Sequence, residues 1–307
     1  MDKLFEWSEI EKDFQENIIL GNGASISINK CFSYRNLYSF ARKYNFLGDE
    51  ISNMFQRMGT TNFEKALGSL EIYSDEWNEL RDALLETINL VHIDGIELSK
   101  EHLSKIADFL LKFKRIFYLN YDLVPFWAIE NSPYKFEDYF FQNESGELTF
   151  MYDKNSRHKN QIFYPHGNLL LSATFTSTIK KDPRGEKDPI RNMLDNSGCF
   201  DFPLFVAGAD SEQKRFSIAC NDYLSWVLSE VLSNRLHKNL CIYGWSMQQN
   251  EIHILDSLRN NEINKIAISM RFYDQKKIDR YKRIFNTFRS KPEIIFYDAK
   301  SSGCWLY

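Results

Sequence analysis

Ile18-Ile19-Leu20-Gly21-Asn22-Gly23-Ala24-Ser25 is an apolar run that ends in two closely spaced glycines. It reads as a buried strand that turns sharply, because glycine adopts turn conformations freely and lets backbone approach a ligand with no Cβ in the way. If a helix starts at Ala24 or Ser25, its unpaired N–H groups face a pyrophosphate. A bare glycine pair describes a strand, turn and helix without a ligand equally well, so other segments must decide. The third glycine of the dinucleotide fingerprint is missing, since Ile26 stands there, and no clean acidic residue closes a second strand about 20 residues on. An ordinary dehydrogenase is disfavoured.

The 307 residues, 43% hydrophobic and 15% aromatic, can bury a substantial core and are expected to form a single domain, 1–307. A formal charge of −4 gives no general attraction to nucleic acid, so no direct nucleic-acid binding is expected. Cys31, Cys199, Cys220, Cys241 and Cys304 are scattered with no C-x-x-C pair, which reads as mostly buried thiols in a reducing compartment and no metal site. The stretch Met1 to Asn17 mixes charges with Leu4, Phe5, Trp7 and Ile10 instead of showing a cleavable apolar core, and no 18-residue apolar run follows. A soluble, cytoplasmic protein without a membrane span is expected.

Along the chain, residues 5–16 read as a short amphipathic helix and 34–45 as a second, with Leu37, Phe40, Ala41 and Tyr44 at helical spacing. Helical periodicity then dominates residues 49–114, through Ile51-Met54-Met58, Phe63-Ala66-Leu67-Leu70, Trp77-Leu80-Leu84-Ile88-Val91 and Leu103-Ile106-Leu110-Phe113, and predicts an inserted helical subdomain. Ser99 is the expected cap of its last helix. A strand at 115–119 runs into Asn120-Tyr121-Asp122, and one at 161–165 delivers His166-Gly167. Glu144-Ser145-Gly146 reads as a turn, and the charged Pro/Gly stretch 182–189 as a surface loop. Further strands are expected at 202–206, 240–243, 264–270 and 293–297, with helices at 222–236, 248–259 and 274–287. The alternation predicts an α/β fold, a Rossmann-like parallel sheet flanked by helices.

Four strand ends therefore carry ligand-facing candidates: Gly21 to Ser25, Asn120 to Asp122, His166-Gly167, and Gly244-Trp245-Ser246. Each has a structural alternative. Asn120 and Asp122 suit a turn, Ser246 suits a cap for the helix at 248–259, and a lone histidine among aromatics suits a hydrogen-bonded core position. His92, His102, His158, His237 and His253 have no comparable context and read as structural or solvated. Cys31 to Arg35 suits a plain helix start capped by Ser33.

In this order the motifs resemble the sirtuin-like (Sir2-like) NADases of bacterial antiphage defence systems, with a Gly-x-Gly-Ala-Ser turn, an Asn-Tyr-Asp strand end, a His-Gly strand end and a late Gly-x-Ser. Leu119 replaces the threonine usual before the Asn-Tyr-Asp stretch. The resemblance implies a sirtuin-like core and an NAD+ glycohydrolase that cleaves NAD, its substrate, to nicotinamide and ADP-ribose. It implies that Gly21, Asn22, Gly23, Ala24 and Ser25 bind the pyrophosphate side, Asp122 and Asn120 the nicotinamide ribose, and Gly244 and Ser246 the adenosine side, with Asn120 and His166 catalytic. Cys31 to Arg35 falls where such proteins carry a cofactor loop. A homo-oligomer and a partner, a HerA-type hexameric ATPase or another sensor protein, are implied as well. The scattered cysteines cannot supply the four-cysteine zinc module of sirtuin deacylases, which ranks deacylation lower. The competing class is a module that binds NAD or ADP-ribose without turning it over.

Overall fold

The computed structural model describes residues 3–71, 74–95, 99–130, 133–152, 159–174, 177–182, 203–206, 208 and 210–307. In chain order its strands are β1 (Leu4–Phe5), β2 (Asn17–Leu20), β3 (Arg115–Tyr118), β4 (Phe136–Glu137), β5 (Phe140–Gln142), β6 (Leu148–Phe150), β7 (Asn160–Phe163), β8 (Leu171–Ala173), β9 (Thr178–Lys180), β10 (His237–Tyr243), β11 (Glu262–Met270) and β12 (Glu293–Asp298). Eight form one sheet in the order β1-β12-β11-β10-β2-β3-β7-β4, with every neighbouring pair parallel. The central strands are apolar runs because both faces of a parallel sheet are covered: Ile18, Ile19 and Leu20 are fully buried, as are Leu240, Cys241 and Ile242.

The order of addition positions the site. From β2 the chain adds β3 and β7 on one side, then β10, β11 and β12 on the other, which is the doubly wound pattern of Rossmann-like sheets. Direction reverses between β2 and β10. Leu20 is in register with both Tyr243 and Tyr118, so three strands end level and their following loops meet at the switch point. Ligands bind outside the carboxyl ends of such strands.

Between β2 and β3 lie the helix Tyr34–Lys43 and then Asp49–Met58, Phe63–Leu67, Asp75–Gly95 and Lys100–Leu110, in agreement with the helical reading of 49–114. The hydroxyls of Ser33 and Ser99 accept the N–H of Asn36 and His102, the expected caps. A second sheet, antiparallel in the order β5-β6-β9-β8, was not anticipated as a unit. Its tight turn was: Gly146 has φ +85°, and Asn143 Oδ1 accepts the N–H groups of Ser145 and Glu147.

Several boundaries differ from expectation. The helix expected over 5–16 is divided, because Leu4 and Phe5 pair with Phe296 and Tyr297, leaving only Trp7–Ile10 and a 3-10 turn at Glu11–Asp13. The helix after the glycine turn starts at Asn22, ahead of the expected Ala24 or Ser25. Pro203–Val206 makes only an isolated bridge, Phe205 to Gly167, where a strand was expected from 202. The helix expected over 222–236 runs as Asp222–Trp226 and then a wider π-helical stretch, Val227–Leu232. Gln248, paired with Glu251 in a capping box, starts the helical stretch at 249 in place of Ser246. Residues 183–202 lie outside the described residues, and with them Cys199 and most of the charged loop. Of the other cysteines, Cys241 and Cys304 are buried, Cys31 is partly buried and Cys220 exposed. Among the described residues no helix is long and apolar enough to cross a membrane.

Candidate active site at the switch point

The glycines at the ends of β2 and β10 are packed against each other. A Cβ on Gly21 would lie 2.5 Å from Trp245 Cα, one on Gly23 would lie 2.7 Å from Gly244 Cα, and one on Gly244 would lie 2.5 Å from the Ala24 nitrogen. Gly21 N–H donates to the Tyr243 carbonyl, Gly23 N–H to the Gly244 carbonyl and Ala24 N–H to the Gly21 carbonyl. Of the N–H groups expected to face a pyrophosphate, that of Ala24 is thus engaged within the protein, as are those of the two glycines before it. The glycines here serve contact between two loops, which sequence alone cannot distinguish from approach to a ligand.

Ser25 links this turn to the end of β3. Its Oγ–H donates to Asp122 Oδ2 at 2.6 Å, and Asp122 Oδ1 accepts from the Tyr118 hydroxyl at 2.6 Å and from Val124 N–H at 3.1 Å. Asp122 therefore anchors the start of the helix Val124–Ile129, and burial pushes its carboxyl above the usual aspartate range, against the pull of Ser25 and Tyr118. Asn120 Nδ2 donates to the Gly21 carbonyl at 3.1 Å and to Ser25 Oγ at 2.7 Å. The acceptor-only carbonyl fixes which end of the amide is nitrogen, so Oδ1 is what Asn120 retains for a ligand.

His166 follows β7 and is buried, with Nδ1 3.3 Å from the Leu119 carbonyl and Nε2 2.8 Å from Nε2 of His253. A carbonyl only accepts, so Nδ1 carries the hydrogen, His253 Nε2–H donates to His166, and His253 Nδ1 accepts from Ser211 Oγ at 3.3 Å. Both imidazole nitrogens of His166 are occupied. Burial holds both rings neutral, aided for His166 by Lys214 and for His253 by His166; the His166 pKa falls well below the ordinary value and that of His253 to about 2. Below the ordinary histidine pKa the unfolded chain takes up protons that the folded pair refuses. Stability is therefore expected to be full above pH 6.5 and to fall by about 1.4 kcal/mol per ring for each pH unit below it, down to the folded values. Denaturant unfolding at pH 7 and 5 checks this, and the His253→Gln variant should lose part of the slope.

Asn22, Asn120, Asp122 and His166 line one cavity of about 70 Å³, together with Phe32, Tyr34, Glu64 and Glu251. Gly21 and Ser25 support its wall through their bonds to Asn120 and Asp122, whereas Gly23, Ala24, Gly244 and Ser246 do not line it. Ser246 is exposed, and its carbonyl accepts from Arg280 at 3.0 Å. Phe32 faces the cavity, whereas Arg35 of the same expected loop is exposed. A larger cavity, about 680 Å³, has a different lining, Leu67, Leu70, Trp77, Phe205 and Phe216 among it.

Sequence reasoning missed four charged or titratable groups at the site. Glu64 and Lys214 form a buried ion pair at 2.6 Å, and the Tyr34 hydroxyl donates to the other Glu64 oxygen at 3.0 Å. Glu251 accepts Trp245 Nε1–H at 2.8 Å, and His253 was read as structural without its partner. Signals existed: His253 interrupts the apolar run Ile252-His253-Ile254-Leu255, and Lys214 shares a helix face with buried Ile218.

No curated protein matches the chain. A family model described as a domain of unknown function, DUF4917, matches residues 18–305, from the first central strand to the C-terminal tryptophan. The chain belongs to the DUF4917 family.

Proposed function

We propose that the protein is an NAD+ glycohydrolase, a sirtuin-like enzyme that cleaves NAD to nicotinamide and ADP-ribose. The observation that carries the reading is convergence: Asn22, Asn120, Asp122 and His166, from separate strand ends, line one cavity beside the reversal point of a parallel sheet. Cleavage of the nicotinamide–ribose bond builds oxocarbenium character, so the site must orient ribose and water, and the oxygen of Asn120 is the group to which this reading gives that task. Ligand pockets usually measure about 300–1,000 Å³, so a dinucleotide needs the wall of Phe32, Tyr34 and Leu37 to move outward. These three lie on the short segment and helix start that follow the glycine turn, not on the sheet. In a cytoplasmic defence role such an enzyme would be restrained in a homo-oligomer or by a sensor partner such as a HerA-type ATPase.

The second reading is a module that holds NAD or ADP-ribose without turnover, favoured by the engagement of both His166 nitrogens. Purified protein incubated with NAD and analysed by chromatography separates the two. Nicotinamide release is expected, falling by about 10²-fold or more in Asn120→Ala as reacting groups lose their alignment. NAD binding without release would favour the module, and neither binding nor release would remove both readings.

A further inference from the structure

We propose that Glu251 is the general base of this pocket, accepting the proton of the water that attacks the ribose C1′; the inference rests on the NAD-cleaving reading. His166, the histidine expected in that role, must first break its bond to His253 or to the Leu119 carbonyl. Glu251 needs no such exchange. Its two bonds, from Trp245 Nε1–H at 2.8 Å and from Gln248 N–H at 3.2 Å, both fall on Oε2. Oε1 remains on a side chain that lines the same cavity as Asn120 and His166.

The other cavity-lining carboxylates are already committed. Glu64 uses one oxygen for Tyr34 and the other for Lys214, and Asp122 accepts on both oxygens from Ser25, Tyr118 and Val124. The hydrogen bonds to Oε2 fix the Glu251 rotamer, while burial strengthens the group as a proton acceptor; Lys214 opposes that rise and Glu64 adds to it. In the step, the C1′–N bond breaks with its electron pair passing to the pyridinium ring, so nicotinamide leaves neutral. Water oxygen bonds to C1′, its proton moves to Oε1 of Glu251, and the carboxylic acid then loses that proton to solvent. The leaving group requires no proton, so one base suffices.

Glutamine at 251 separates this role from helix capping, because a capping box accepts Glu or Gln and an amide oxygen can still receive the Trp245 N–H. Nicotinamide release, NAD affinity by calorimetry and thermal unfolding are measured on the full chain for wild type, Glu251→Gln and Glu251→Ala. The Gln variant is expected to melt like wild type and bind NAD as tightly while turnover falls about 10²–10⁴-fold. Added formate is expected to restore part of the activity of the Ala variant. Wild-type turnover by Glu251→Gln would overturn the assignment, as would parallel loss of NAD binding and turnover. No nicotinamide from wild type would instead overturn the NAD-cleaving reading.

Discussion

Replacing Lys214 by methionine is expected to lower the unfolding free energy by about 3–5 kcal/mol, the usual cost of removing one member of a buried ion pair. The side chains of Lys214 and Glu64 are 1% and 9% exposed. Glu64 would then keep a charge beside the hydroxyls of Tyr34 and Tyr121 with no cation to balance it, and the carboxylate would have to protonate or draw in water. The pair also joins the helix Phe63–Leu67 to the helix Ser211–Ala219, across 150 residues of sequence. Most of the loss should return in the double variant Lys214→Met with Glu64→Leu, since an apolar pair removes the unpaired charge. Urea denaturation of the two singles and the double closes the cycle. A Lys214→Met protein within about 1 kcal/mol of wild type would mean an exposed pair, because exposed pairs contribute about that much or less.

Gly244→Ala is expected to cost about 2–6 kcal/mol, combining overpacking with backbone strain. The residue sits at φ +68°, and an added Cβ meets the Ala24 nitrogen at 2.5 Å and the Gly23 carbonyl carbon at 2.7 Å. Both obstacles are backbone, so no rotamer change relieves them, and the ends of β2 and β10 must separate. Gly146→Ala is the control, with φ +85° and open space around the new methyl. Only the conformational part of the penalty applies there. Thermal unfolding should therefore place the Gly244 variant well below the Gly146 variant; equal melting temperatures would show that the two loops are not in contact.

Much of the fold was legible because its strands are short apolar runs ending in Gly, Asn or His, and helical spacing continues almost unbroken from Ile51 to Phe113. What sequence could not give was set by partners distant in the chain. Leu4 and Phe5 look like part of an amphipathic helix until β12 is there to pair with them. The second sheet depends on strands as far apart as Leu148 and Lys180. At the site, Asn120, Asp122 and His166 were identifiable by their place after strands. Glu64, Lys214 and Glu251 were not, because a charged residue on a helix ordinarily faces water and only their tertiary neighbours bring them inside.

The pairing of β1 with β12 also bears on how the molecule is made. Leu4 and Phe5 are synthesised well ahead of their hydrogen-bonding partners, Phe296 and Tyr297. Trp7 faces the same wait, since its N–H donates to Ser301 Oγ and its ring lies 5.2 Å from that of Tyr297. Phe109 and Phe113 can cover one part of that ring earlier, but the nascent chain carries a buried-type tryptophan incompletely covered until β12 docks, a natural handle for chaperones.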